Sequence, residues 1–201
     1  MNGTQHETES ELLSRIDLIE SMVQEGRKGT EYWGWVFVLW GAAYLIAIAW
    51  SYSSRMPQLS WPVTMIAATI LTVVLASRKR RNKPQKPLSR AISAIWIACG
   101  AGIFIFCFSV ASSGRMEVHS YFAAVELFLG VANCASSIAL RWRGQFLIAL
   151  LWFASAIATC FVNLKFVTPI LLFDAFFGFL CFGLYLMYRE QSDRKRSLRH
   201  A

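Results

Sequence analysis

Six long, predominantly apolar runs of 17 to 22 residues recur along this chain, and no other feature constrains its fold as strongly. They lie at approximately 33–52, 61–77, 90–111, 120–140, 144–163 and 168–188. At about 1.5 Å of rise per residue, each is long enough as a helix to cross a hydrocarbon core ~30 Å thick. In lipid the backbone has to satisfy its own hydrogen bonds, which leaves helices or a closed β-barrel. A barrel would alternate apolar and polar residues over about ten positions, whereas these runs are continuous and rich in Leu, Ala, Phe and Ile. The expected fold is therefore all-α, a polytopic membrane bundle of six transmembrane helices with the lipid bilayer as its solvent. Composition agrees: 56% of the 201 residues are hydrophobic and 16% charged, and the mean hydropathy of +0.43 is too high for a water-soluble domain.

Around the membrane domain at 32–188 lie an N-terminal segment, 1–31, and a basic tail, 189–201. Within the first, residues 8–25 read as an amphipathic helix. Thr8 and Glu11 have capping-box spacing, Leu12, Ile16, Ile19 and Val23 form one stripe, and Gly26 suits the C-terminal stop. Its polar face is acidic, with Arg15 as its basic residue, whereas helices that lie on anionic lipid are usually rich in Lys and Arg. The stripe fits a protein partner, a second copy of the chain, or the protein's own loops. The first 31 residues are acidic and lack an apolar core, so no cleaved signal peptide is expected.

The net charge of +8 raises nucleic acid as a partner, but the basic residues sit in short segments between apolar runs, so no nucleic acid is expected. Arg27, Lys28, the cluster from Arg78 to Arg90, Arg141, Arg143 and five residues after 188 place sixteen Lys and Arg on one side. Arg55, Arg115 and Lys165 place three on the other. By the positive-inside rule both termini are expected in the cytoplasm. Pro84 and Pro87 are expected to keep the basic connection out of helix. Trp61, Trp142, Tyr121 and other aromatic residues near the predicted ends read as interfacial anchors.

Trp40, Trp96 and Trp152 are spaced 56 residues apart in the odd-numbered spans, which suggests three successive hairpins. Spans four and six also correspond: Ser120 and Thr168, Glu126 and Asp174, Gly130 and Gly178, Arg141 and Arg189 fall at matching positions. Small residues such as Gly41, Ala98, Gly100, Gly102, Ala154 and Ser155 read as sites of close helix approach, and Asn133 as an interhelical hydrogen-bond donor.

Glu126 and Asp174 are the two acids inside the spans, where a charge near the bilayer centre costs at least ~2.5 kcal/mol unless paired or hydrated. Six residues from the predicted outer ends puts them about 9 Å deep, in the outer third. One reading makes them a candidate intramembrane ion or proton site shared by two repeats. The simpler reading pairs them with Arg55, Arg115, Lys165 or His119 to hold the outer ends together.

Signatures of catalysis are missing. HExxH, GxSxG, the phosphate-cradling GxxxxGK[ST] and GxGxxG do not occur, and His6, His119 and His200 are scattered. The five cysteines lie inside spans without a CxxC pair. No enzyme activity, catalytic residue, cofactor or metal site is expected.

Ile16 to Met22, followed by Gly34 and by Leu39, Trp40 and Gly41, resembles the opening of small uncharacterised bacterial multi-pass membrane proteins. The resemblance covers about the first 45 residues and implies a bacterial inner membrane, with no activity attached. The leading expectation is a non-enzymatic integral membrane protein that acts through protein partners. The competing one is a small proton- or cation-linked transporter or channel using Glu126 and Asp174.

Overall fold

The computed structural model describes residues 11–18, 20–21, 33–53, 55–56, 59–80, 87–115 and 117–199. Seven helices follow the N-terminal segment: α1 Gly34–Ser53, α2 Ser60–Arg80, α3 Pro87–Ser113, α4 Val118–Ala139, α5 Arg143–Phe161, α6 Leu164–Asp174 and α7 Phe182–Arg199. A π-helical stretch, Ala175–Cys181, joins α6 to α7 into one long rod. The chain forms an all-α bundle with six helices long and apolar enough to cross a membrane, the sixth being that rod.

Several boundaries differ from the expected ones for local reasons. Pro87 does not exclude helix but opens it, as the first residue of α3. Its missing N–H is harmless there and its fixed φ is helical already. Helix α2 continues to Arg80, into the basic connection, because charged residues outside the apolar run are still good helix formers. Likewise α6 begins at Leu164 and α7 runs on to Arg199 through most of the basic tail.

The centre of the bundle is α1, α4, α5 and the sixth rod. Half of the most apolar stretch of α4 is buried against 11% of that of α3, so α3 is a rim helix. The α4–α5 connection is three residues long and closes as a Schellman turn. Arg141 takes the left-handed position at φ 48°, its N–H donates to Ile138 O, and Trp142 N–H donates to Ser137 O at 2.9 Å. So short a link makes α4 and α5 antiparallel neighbours. Small residues let them approach: Ala132, Ser136 and Ala149 are fully buried, and the face of Phe153 lies over Gly130. In contrast, Gly100 and Ala98 on α3 face outward, and nothing lies within 4 Å of the space beside Gly100. Those two small residues do not serve close approach within this bundle.

Aromatic rings fill the space between the central helices. Phe37 meets Phe182 at 5.1 Å between centroids, Tyr44 meets Phe179 at 5.2 Å, and Trp152 meets Phe179 at 5.0 Å. Trp142 belongs to this core and is not an exposed anchor, being 7% exposed with the Arg189 guanidinium 5.7 Å from its ring centre.

At the N-terminal segment, residues 11–18 and 20–21 are helical, within the expected 8–25. Leu12 and Ile16 are more than half exposed, so among the described residues this stripe is not packed on the protein's own loops. Ile19 and Val23 lie outside the described residues.

Candidate functional site

Helices α4 and α6 both lie against α5, and each brings one acid to it. Glu126 is the ninth residue of α4 and Asp174 the last of α6, and both are fully buried. Because both helices start earlier than the apolar runs suggested, the acids sit about 12 and 15 Å below the helix ends, deeper than the expected 9 Å. That is near the middle of a ~30 Å hydrocarbon layer, where an unsatisfied carboxylate is most costly.

Helix α5 meets both acids with a pair of hydroxyls one turn apart. Ser155 Oγ donates to Asp174 Oδ1 at 2.6 Å, and Thr159 Oγ1 donates to Glu126 Oε1 at 3.2 Å. Residues four apart share a helix face, so this spacing aims both hydroxyls at the same inter-helix seam. The two carboxyl groups lie within electrostatic reach of each other. Buried Tyr44 of α1 lies within electrostatic reach of both. Glu126 Oε2 and Asp174 Oδ2 have no hydrogen-bond partner.

The correspondence between spans four and six is thereby given a geometry. One turn after each acid comes a glycine, and each glycine receives an aromatic ring from α5: Phe153 over Gly130 and Trp152 over Gly178. A Cβ on either would lie within 2.9 Å of the ring, so glycine is needed there for the close approach. The two acids thus occupy like positions on either side of α5.

External basic residues do not neutralise the acids. Arg55, Arg115 and Lys165 are exposed, and His119 bonds to the Val162 carbonyl oxygen at 3.0 Å. None of these forms an ion pair with Glu126 or Asp174 among the described residues. The geometric reason is depth: bases at the helix ends are two to three turns above carboxyls set this far in.

Several residues, Thr159 among them, were misread or passed over in the sequence. Ser155 is a hydrogen-bond donor to an acid, where packing was expected; the signal was its i,i+4 partnership with Thr159 on a helix facing two acid-bearing ones. Asn133 does not bond across helices, since its Nδ2 donates to Leu129 O one turn back in α4. Gln145, in the first turn of α5, is fully buried with both side-chain polar atoms unpartnered; a lone Gln beside an arginine-bearing turn gave no sequence signal. No cluster of three or more His, Cys, Asp or Glu suited to a metal occurs among the described residues.

No family model matches this multi-pass membrane chain, and no curated protein or solved structure matches it significantly.

Proposed function

We propose that this chain is a small proton- or cation-linked transporter or channel, and that the Glu126–Asp174 pair is its ion-binding group. The observation that carries the reading is the pair itself: two fully buried carboxyls from separate helices, within electrostatic reach of each other and met by two hydroxyls one turn apart on α5, not by cations. Two negative charges so close in a low-dielectric interior repel strongly, and a shared proton or a small cation between them relieves that repulsion. The leftover oxygens Oε2 and Oδ2 are where such an ion would add. Its setting is a bacterial inner membrane with both termini cytoplasmic, supported by the sixteen-to-three distribution of Lys and Arg and by the resemblance of the first 45 residues.

The test uses the purified full chain in liposomes loaded with a pH-sensitive dye, driven by a potassium diffusion potential. Wild type is expected to pass protons, or sodium in the parallel assay. Glu126→Gln and Asp174→Asn, each retaining its gel-filtration profile, are expected to lose about tenfold or more of that flux. Unchanged flux in both variants would sink the reading.

One observation favours a second reading, action through a protein partner or a second copy. Leu12, Leu13, Ile16 and Leu18 are 51–60% exposed on one short acidic helix, a surface that gains by being covered. Solubilised full-length protein is expected to co-purify with a specific partner that Leu12→Ser with Ile16→Ser releases. An identical set of co-purifying proteins from the variant counts against this reading.

A further inference from the structure

Among the described residues, the buried side-chain polar atoms without a partner are Glu126 Oε2, Asn133 Oδ1, Ser136 Oγ, Gln145 Oε1 and Nε2, Trp152 Nε1 and Asp174 Oδ2. All seven lie on α4, on α5 or at the end of α6, and they fall in sequence along one seam. The Thr159–Glu126 bond and the seating of Phe153 on Gly130 set the antiparallel register of α4 and α5. Moving from that bond toward the basic end, the Ser155–Asp174 bond comes about one turn down, then Trp152 level with Asn133, then Ser136, then Gln145. Trp152 Nε1 lies beside Gly178, 3.0 Å from where a Cβ would stand, one turn beyond Asp174.

Both hydrogen-bonding senses are represented along the seam. The indole N–H only donates, Asn133 Oδ1 accepts, and Ser136 and Gln145 do both. Left dry, each such group keeps its full desolvation penalty, and buried water is the usual way such groups are satisfied, each molecule taking about 2–4 polar partners. At the basic end of the same two helices lies a cleft of about 240 Å³, lined by Ser137, Arg141, Trp142 and Arg143 together with Ile138 and Phe146.

In the other direction the lining is apolar. Ile48, Val167 and Leu171 are at most 5% exposed and pack with Trp61, Phe122 and Val162. Phe122 stands one turn before Glu126 in α4, and Leu171 one turn before Asp174 in α6. Together they lie between the acids and an open cleft of about 500 Å³ at the opposite end, whose walls include Tyr52, Phe122, Lys165 and Thr168.

We propose that the unpartnered side chains of α4 and α5 hold a file of water that carries protons between the Glu126–Asp174 pair and the basic end of the bundle, while Ile48, Phe122, Val167 and Leu171 form an apolar plug toward the other. The inference rests on the ion-binding reading of the two acids and gives it one open side. Each step breaks one O–H bond and forms another: a carboxyl proton passes to the adjacent water, which releases a different proton to the next. Every water ends with the protons it began with, and no oxidant or second reactant is needed.

Water access is tested by cysteine labelling with a charged methanethiosulfonate. The reagent attacks the thiolate, a form favoured by hydration. In a chain whose five native cysteines are replaced, single Ser136→Cys and Asn133→Cys sites are expected to react about tenfold or more faster than Leu171→Cys, with reagent offered at the basic end. Equally slow reaction at all three overturns the water file. Should the cysteine-free chain lose its gel-filtration profile, flux is measured in the native background. There Asn133→Leu and Gln145→Leu are expected to lower proton flux about tenfold with both acids intact, and undiminished flux overturns the path. Labelling does not depend on flux, so the two ideas fail separately. Labelled Ser136→Cys in a chain without flux removes the transport reading, whereas wild-type flux with unlabelled sites removes the file.

Discussion

Gly183→Val is expected to lower the thermal midpoint of the detergent-solubilised protein by on the order of 10 °C, the equivalent of roughly 3 kcal/mol for a chain of this size. A Cβ at Gly183 would lie 2.8 Å from the Gly34 carbonyl oxygen, from the Val38 backbone nitrogen and from Val38 Cγ2. The relation is reciprocal: a Cβ at Gly34 would lie 2.9 Å from the Gly183 carbonyl oxygen. Backbone meets backbone here, so no side chain can swing away, and α1 and α7 would have to separate. That contact is what van der Waals packing between membrane helices depends on, because lipid supplies no hydrophobic force to press them together. Gly100→Ala is the control: with open space beside Gly100, it is expected to be neutral, or stabilising by up to ~1 kcal/mol from helix propensity. Equal midpoints for Gly183→Val and wild type would mean that α1 and α7 do not meet in this way.

The second large effect is expected at Trp152. Its indole is fully buried, stands 5.0 Å from the Phe179 ring and fills the notch left by Gly178. Trp152→Ala removes a side chain that no neighbour can replace, and the cavity is expected to destabilise the bundle by about 3–5 kcal/mol. Trp152→Phe retains most of the volume and is expected to cost about 1.5 kcal/mol or less. Unfolding in detergent followed by intrinsic fluorescence distinguishes them. An Ala variant as stable as the Phe variant would show that the indole is not a keystone between α5 and the sixth rod.

Much of this architecture was legible in the sequence, because hydropathy and helix length are both local properties. Continuous apolar runs leave a chain in lipid no other regular structure, and the matched positions of Glu126 and Asp174 singled out the two acids before any contact was known. What was not legible depends on relations between distant segments. Ser155 reads as a small packing residue, and Thr159 carries no signal at all, until α5 is seen to face both acids. The pairing with Arg55, Arg115, Lys165 or His119 followed from an assumed helix start, and beginning α4 at Val118 and α6 at Leu164 moved the carboxyls beyond their reach. Trp142, taken for a boundary marker, is buried by a three-residue turn whose tightness only the backbone reveals.

The π-helical stretch after Asp174 has a rotational consequence for everything that follows it. In an unbroken α-helix, nine residues at roughly 100° each would set Asp174 and Gly183 about half a revolution apart. Ala175–Cys181 closes its hydrogen bonds from i to i+5 and so turns less per residue. The azimuth of Gly183 is thereby reset, so that one rod presents an acid to α5 and a glycine to α1. Removing a single residue from this stretch would swing Gly183, Leu186 and Arg189 around the axis together, uncoupling the helix that carries the acid from the one that docks it.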